Sequence, residues 1–170
     1  MAVIKGGILG GLVLFLWGMF SWMVLPWHME TLHKFKNEQV VASAVLNNVS
    51  EPGVYFLPHA FEQQKHLRIF TSIDAEAMPS SSMAIPMAIG LLTQIIGAFL
   101  VAWLLSKTRG LNYFTRVGFV VVFALAAGVI TAVPYWNWFG FDSNFTLVGM
   151  ADLLISWLLA GLIIAKVVRG

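Results

Sequence analysis

The sequence predicts an all-α integral membrane protein with four transmembrane helices and a small α+β insert between the first two. Of its 170 residues, 59% are hydrophobic and only 11% are charged, and the mean hydropathy is +0.82. A soluble domain carries about a quarter charged residues. A water-soluble fold of this composition would expose large nonpolar patches, so lipid must be part of the solvent around the chain.

Four segments are long and apolar enough to cross a bilayer, which takes about 20 mostly apolar residues per helix. The first covers about 6–25 and the second about 83–105. The third covers about 113–133 and is expected to stop at Pro134, and the fourth covers about 145–168. The two helical hairpins are not inverted copies of one another, so the repeat signature of many transporters is missing.

The distribution of charge predicts the topology, because basic residues are retained on the cytoplasmic side during insertion. With both termini cytoplasmic, six basic residues and no acidic ones fall on that side: Lys5, Lys107, Arg109, Arg116, Lys166 and Arg169. The insert is then extracytoplasmic, and the membrane is expected to be a bacterial cytoplasmic (inner) membrane. These charges flank apolar runs instead of forming one basic surface, which excludes nucleic acid as a partner.

The insert, 27–82, is too long for a structureless loop and belongs to a single membrane domain of residues 1–170. Asn37 is a suitable N-cap for a short amphipathic helix over about 37–47. Runs of β-branched and aromatic residues predict strands at about 54–57 and 67–73. The chain has no cysteine, so disulfides and thiolate metal sites are excluded and the insert must be held by packing.

Asp152 is the most unusual residue of the spans, because an ionised carboxylate in lipid costs several kcal/mol unless it faces other helices, water or a partner. Other spans carry polar side chains at a similar depth. The predicted intramembrane cluster is Asp152, Ser156, Gln94, Thr93, Ser21 and Thr131. It is either a site for a proton or cation, or a set of hydrogen bonds that joins the helices.

All four histidines lie in the insert: His28, His33, His59 and His66. His59, Glu62 and His66 have the i, i+3, i+7 spacing of one helical face, where imidazole and carboxylate groups can bind Zn²⁺ or another divalent metal. The alternative is that histidines gather in the insert because the spans exclude polar residues. Methionines near the spans are typical of packing, with Cu⁺ binding as the alternative, and the sequence leaves the cofactor unknown.

Two further patterns concern helix packing and the membrane interface. Small-xxx-small pairs predict a packing face, within the bundle or between protomers, and Gly149 would allow close approach beside Asp152. The pairs are formed by Gly6, Gly7, Gly10 and Gly11. An aromatic segment predicts an interfacial belt, or a contact surface for a lipid, a quinone or a partner helix. Its residues are Tyr135, Trp136, Asn137 and Trp138.

These features leave three hypotheses for function. The first is an accessory or structural subunit, or a binder of a lipid-like ligand at the outer leaflet, with membrane lipids and a homo-oligomer or larger membrane complex as partners. The second is a metal-dependent membrane enzyme or redox component that uses the insert histidines. The third is a proton- or cation-coupled transporter in which Asp152 titrates.

Overall fold

The structure is a computed structural model that describes residues 1–58, 67–74, 83–108 and 110–168. Four of its helices are long and apolar enough to cross a membrane, which confirms the predicted number of spans. They are α1 (Ala2–Met23), α4 (Ala84–Leu105), α5 (Tyr113–Phe139) and α6 (Ser143–Val167). The insert contributes α2 (Trp27–Glu30), α3 (Glu38–Leu46), β1 (Gly53–Leu57) and β2 (Ile69–Ile73).

The helices of the membrane domain follow the spatial order α4, α1, α6, α5. The helix α1 packs against both α4 and α6, and α5 packs against α6. Below, the insert end is the end of the domain where α1 and α5 finish and α4 and α6 begin. The basic end is the opposite one, where Lys5, Lys107, Arg116 and Lys166 lie. The order places α1 and α6 at the centre and leaves α4 and α5 at the flanks.

Four buried glycines explain how α1 fits between two neighbours: Gly6, Gly7, Gly10 and Gly11. A Cβ atom added to Gly11 would lie 2.5 Å from Cα of Ile95 on α4. One added to Gly10 would lie 2.7 Å from the side chain of Ile164 on α6. Gly7 and Gly11 face the backbone of α4, and Gly6 and Gly10 lie against side chains at the C-terminal end of α6 and on α4, so both glycine pairs pack within one chain and allow close helix approach.

The expectation that the third span stops at Pro134 is wrong, because α5 continues through this residue to Phe139. Proline removes a backbone donor and disfavours a helix interior. However, α5 is about 40 Å long at 1.5 Å per residue, longer than the ~30 Å hydrocarbon core, so its last turns extend beyond lipid. The helix ends at Gly140, whose φ of +72° is in the left-handed region that glycine adopts without strain.

The insert begins with α2 and α3 and ends with a β-hairpin. Asn37 caps α3 by accepting a 3.0 Å hydrogen bond from the backbone N–H of Val40. The strands β1 and β2 are antiparallel, with Gly53 opposite Ile73 and Leu57 opposite Ile69. The two strands that the sequence predicts thus form a small hairpin. Two phenylalanines of this hairpin pack against the end of α5. The ring centroids of Phe56 and Phe70 lie 5.4 and 5.2 Å from that of Phe139.

At the basic end, Arg116 ties three helices together from the first turn of α5. It is 3% exposed, and its Nη2 group donates hydrogen bonds to the carbonyl oxygens of Leu105, at 3.4 Å, and of Val168. These carbonyls close the C-terminal ends of α4 and α6, where a positive charge complements the helix dipole. Tyr113 adds a 3.0 Å hydrogen bond to the carbonyl oxygen of Leu162.

Candidate functional site: a polar cluster and an apolar cleft at the insert end

Asp152 is enclosed by side chains from α1 and α2. The indole Nε1 of Trp17 donates a 2.6 Å hydrogen bond to Oδ1 of Asp152. Nε2 of His28 lies 3.5 Å from the other carboxylate oxygen, Oδ2. The side chain of Asp152 is 17% exposed, so the carboxylate is largely shielded and both of its oxygens have a polar neighbour. This arrangement meets the need of an acidic residue within a membrane helix.

His28 is the centre of the cluster and is 4% exposed. The turn at Pro26 allows α2 to fold back against α1 and α6, which brings the imidazole over the end of α1. There its ring stacks on that of Trp22, with centroids 4.0 Å apart and planes 6° apart. Nε2 is 3.1 Å from Oγ of Ser21, and Ser21 accepts a 3.0 Å hydrogen bond from Nε1 of Trp27.

The aspartate cluster is defined here as Trp17, Ser21, Trp27, His28 and Asp152. Nε2 of His28 faces both the Ser21 hydroxyl, at 3.1 Å, and the Asp152 carboxylate, at 3.5 Å. The imidazole either donates from Nε2 or accepts there from the Ser21 hydroxyl, according to its tautomer.

Serine, histidine and aspartate are also the residues of hydrolase triads, but the geometry here is different. In a triad, the carboxylate bonds Nδ1 of the imidazole while the serine bonds Nε2. Here both Ser21 and Asp152 approach Nε2 of His28. In addition, Ser21 is completely buried, so no substrate can reach its hydroxyl in this conformation. The aspartate cluster therefore does not have the form of an acyl-transfer site.

The structure brings together two of the six residues in the cluster expected from the sequence, Ser21 and Asp152, with His28 between them. Sequence reasoning did not include Trp17 or Trp27. The spacing of Trp17 and Ser21, one helical turn apart, is the signal that places both on the face of α1 toward α6.

The other four expected members lie apart from Asp152's oxygens. Three hydroxyls bond carbonyl oxygens of their own helices: Ser156 to Leu153 at 2.8 Å, Thr93 to Ile89 at 2.8 Å and Thr131 to Ala127 at 2.7 Å. Such bonds satisfy a hydroxyl inside an apolar helix without a tertiary partner. Gln94 is half-buried on α4 and makes no hydrogen bond with the described residues.

The histidines considered as metal ligands divide into three groups. His59, Glu62 and His66 lie outside the described residues. His33 is exposed, and His28 belongs to the aspartate cluster. Among the described residues, no group of three or more histidine, aspartate or glutamate side chains is close enough to hold a metal ion.

The aromatic segment forms the last turns of α5. Trp136 donates a 3.0 Å hydrogen bond from Nε1 to Oγ of Ser143, and the ring of Tyr135 contacts that of Phe70 at 6.2 Å. Asn137 and Trp138 are exposed, the latter by 64%. Gly149 is also exposed, and an added Cβ would meet nothing within 4 Å among the described residues, so no helix packs there.

An apolar cleft of about 440 Å³ opens between α3 and the β-hairpin. Protein sites for small molecules measure about 300–1,000 Å³ and are mostly apolar with a few polar groups. Asn48, Tyr55 and Thr71 supply the polar atoms of this lining. The lining residues are Val40, Val41, Ala44, Val45, Asn48, Val49, Tyr55, Phe56, Leu57, Ile69 and Thr71.

No protein-family model, curated protein or solved structure matches the chain. The candidate site therefore rests on two structural features, the aspartate cluster and the apolar cleft of the insert, which lie at the same end of the membrane domain.

Proposed function

We propose that the protein binds the acyl chain of a lipid-like molecule in the apolar cleft between α3 and the β-hairpin, and acts as an accessory component at the outer leaflet. The observation that supports this proposal is the cleft, which has the size and lining of a ligand site. An apolar surface of this extent is unfavourable in water and calls for an apolar occupant.

The way the insert is attached supports the same role. The aspartate cluster fastens α2 to α6 through His28. The rings of Phe56 and Phe70 fasten the hairpin to α5. Between these two attachments, α3 has no buried residue, and its apolar side faces the cleft. An acyl chain in the cleft would complete the packing of α3, so ligand binding and the order of the insert would be coupled.

We further propose that both termini are cytoplasmic and that the insert is extracytoplasmic in a bacterial cytoplasmic membrane. The support is the sidedness of the basic residues. The chain has no cysteine, so single cysteines can report topology directly. In intact cells, a membrane-impermeant maleimide should label Ser43→Cys on α3. It should label Leu111→Cys, between α4 and α5, only after permeabilisation. The opposite pattern would invert the topology.

The ligand hypothesis is tested with two alanines of α3. Ala44 lines the cleft, whereas Ala42 is exposed outside it. After gentle detergent purification, native mass spectrometry and lipid extraction should find a lipid-like molecule bound to the wild type and to Ala42→Trp. Ala44→Trp fills the cleft and should lose most of that molecule. A wild type without any bound molecule, or equal retention by both variants, would refute the proposal.

A second candidate function is proton- or cation-coupled transport with Asp152 as the titrating group. It is favoured by the placement of His28, whose Nε2 lies 3.5 Å from the carboxylate of Asp152. This candidate has less support, because a transport pathway needs polar groups on both sides of Asp152. Close packing of α1 against α4 and α6 instead fills the basic half of the domain with apolar contacts. Proton-linked flux in liposomes that disappears in Asp152→Asn would favour transport over ligand binding. The absence of flux in the wild type would exclude it.

A further inference from the structure

A second apolar groove lies in the membrane domain itself, between α4 and α5 near the basic end. Its volume is about 360 Å³. Its lining comes from α4, the turn that follows α4, and α5. The groove lies within two segments that are apolar enough to span a bilayer, so the molecules beside it are lipids. Its lining residues are Val101, Leu104, Leu105, Thr108, Phe119, Val120, Val122 and Phe123.

Positive charge is concentrated where this groove meets the basic end. Arg116 donates to the carbonyl oxygen of Leu105, which lines the groove, and precedes another lining residue, Val120, by one helical turn. Nε of Arg116 is buried and has no hydrogen-bond partner among the described residues. Lys107 is exposed and precedes the lining residue Thr108 in sequence, and its Nζ lies 5.3 Å from the centroid of the Trp103 ring.

No acidic side chain of the sequence lies near these groups. Every acidic residue of the sequence lies in the insert or at the insert end, where Asp142 and Asp152 belong to the start of α6. The groove therefore combines an apolar channel for a chain with an uncompensated cationic mouth.

We infer that this groove is a binding site for an anionic phospholipid of the leaflet at the basic end. One acyl chain lies along the apolar lining, and Lys107 binds the phosphate at the mouth, with the buried charge of Arg116 behind the lining adding to the positive potential. Basic pockets between transmembrane helices select anionic head groups by this charge complementarity. The site is separate from the cleft above the insert end and does not depend on the function proposed for that cleft.

The test measures which lipid the protein retains. The full chain is reconstituted in nanodiscs of equal amounts of phosphatidylglycerol and phosphatidylcholine, extracted gently and analysed by native mass spectrometry. The wild type should retain phosphatidylglycerol in preference to phosphatidylcholine. Val122→Trp, which fills the groove, and Lys107→Gln, which removes charge from the mouth, should each reduce that preference, Lys107→Gln by about tenfold.

Matched controls separate the groove from general effects. Val129→Trp places the same ring on an exposed valine of α5 outside the groove, and Lys166→Gln removes a charge at the basic end of α6. Both should keep the wild-type preference. Because Arg116 also joins helix ends, the test does not depend on a variant of that residue. A wild type without preference for the anionic lipid would overturn the inference. Equal lipid retention by Val122→Trp and Val129→Trp would also overturn it. The same holds if the wild type is found to be a dimer that Val122→Trp disrupts while lipid retention stays unchanged, because the groove would then be covered by a second copy of the chain.

Discussion

Trp17 and Asp152 are joined by a 2.6 Å hydrogen bond across 135 positions of the sequence. The bond links the second half of α1 to the first half of α6 and leaves the second carboxylate oxygen to His28, at 3.5 Å. One acidic residue thus connects a membrane helix, its neighbour and the first helix of the insert. The aspartate cluster is both the anchor of the insert and the place where the domain holds a titratable pair away from water.

Replacing Trp17 by phenylalanine should destabilise the protein by roughly 1–3 kcal/mol, because one oxygen of a shielded carboxylate loses its donor. Thermal unfolding in detergent would measure the change. Trp138→Phe is the matched control, since Trp138 is 64% exposed and its indole bonds none of the described residues. Equal stability of the two variants would show that the Trp17 bond contributes nothing.

Replacing His28 by glutamine should loosen the insert while leaving the four spans folded, because the tie between α2 and α6 passes through this imidazole. Limited proteolysis should cut the insert faster in His28→Gln than in the wild type, with circular dichroism unchanged in helix content. His33→Gln alters an exposed histidine of the same insert and should be cut at the wild-type rate. Identical cleavage of all three proteins would contradict the anchoring role.

Replacing Gly11 by alanine should cost about 1–3 kcal/mol, since its methyl group would collide with backbone of α4 and force the helices apart. Gly18 lies on the same helix with nothing within 4 Å of an added Cβ. Gly18→Ala should therefore be neutral or slightly stabilising. Unfolding midpoints of the two variants give the comparison. If Gly18→Ala is as damaging as Gly11→Ala, helix approach is not the reason for these glycines.

Gly140→Ala should destabilise the turn between α5 and α6 by about 1–2 kcal/mol, because its φ of +72° is strained for a residue with a side chain. Gly140→Asn should be less damaging, as asparagine tolerates this conformation. Both side chains would meet Arg68, and asparagine is the larger, so a smaller loss of stability for asparagine than for alanine reports backbone strain. Equal unfolding midpoints would place the cost in the contact with Arg68 instead.

The sequence predicted the four spans, the cap of α3 by Asn37 and the strands of the hairpin, because each of these features depends on residues that are close together in the sequence. The length of a span follows from summed hydropathy. An N-cap follows from one side chain, which accepts a hydrogen bond from the backbone N–H three residues later. The same local reasoning failed at Pro134. There the helix continues, since its last turns leave the hydrocarbon core and pack on the hairpin through Phe139.

The sequence by itself determined that Asp152 needs a polar partner, since an isolated carboxylate in lipid is too costly to leave alone. Only the tertiary structure decided that the partners are Trp17 and His28, and that the glycines of α1 face α4 and α6 instead of another protomer. The reason is physical. The need for a partner belongs to one residue and its solvent, whereas the identity of the partner depends on how distant helices pack.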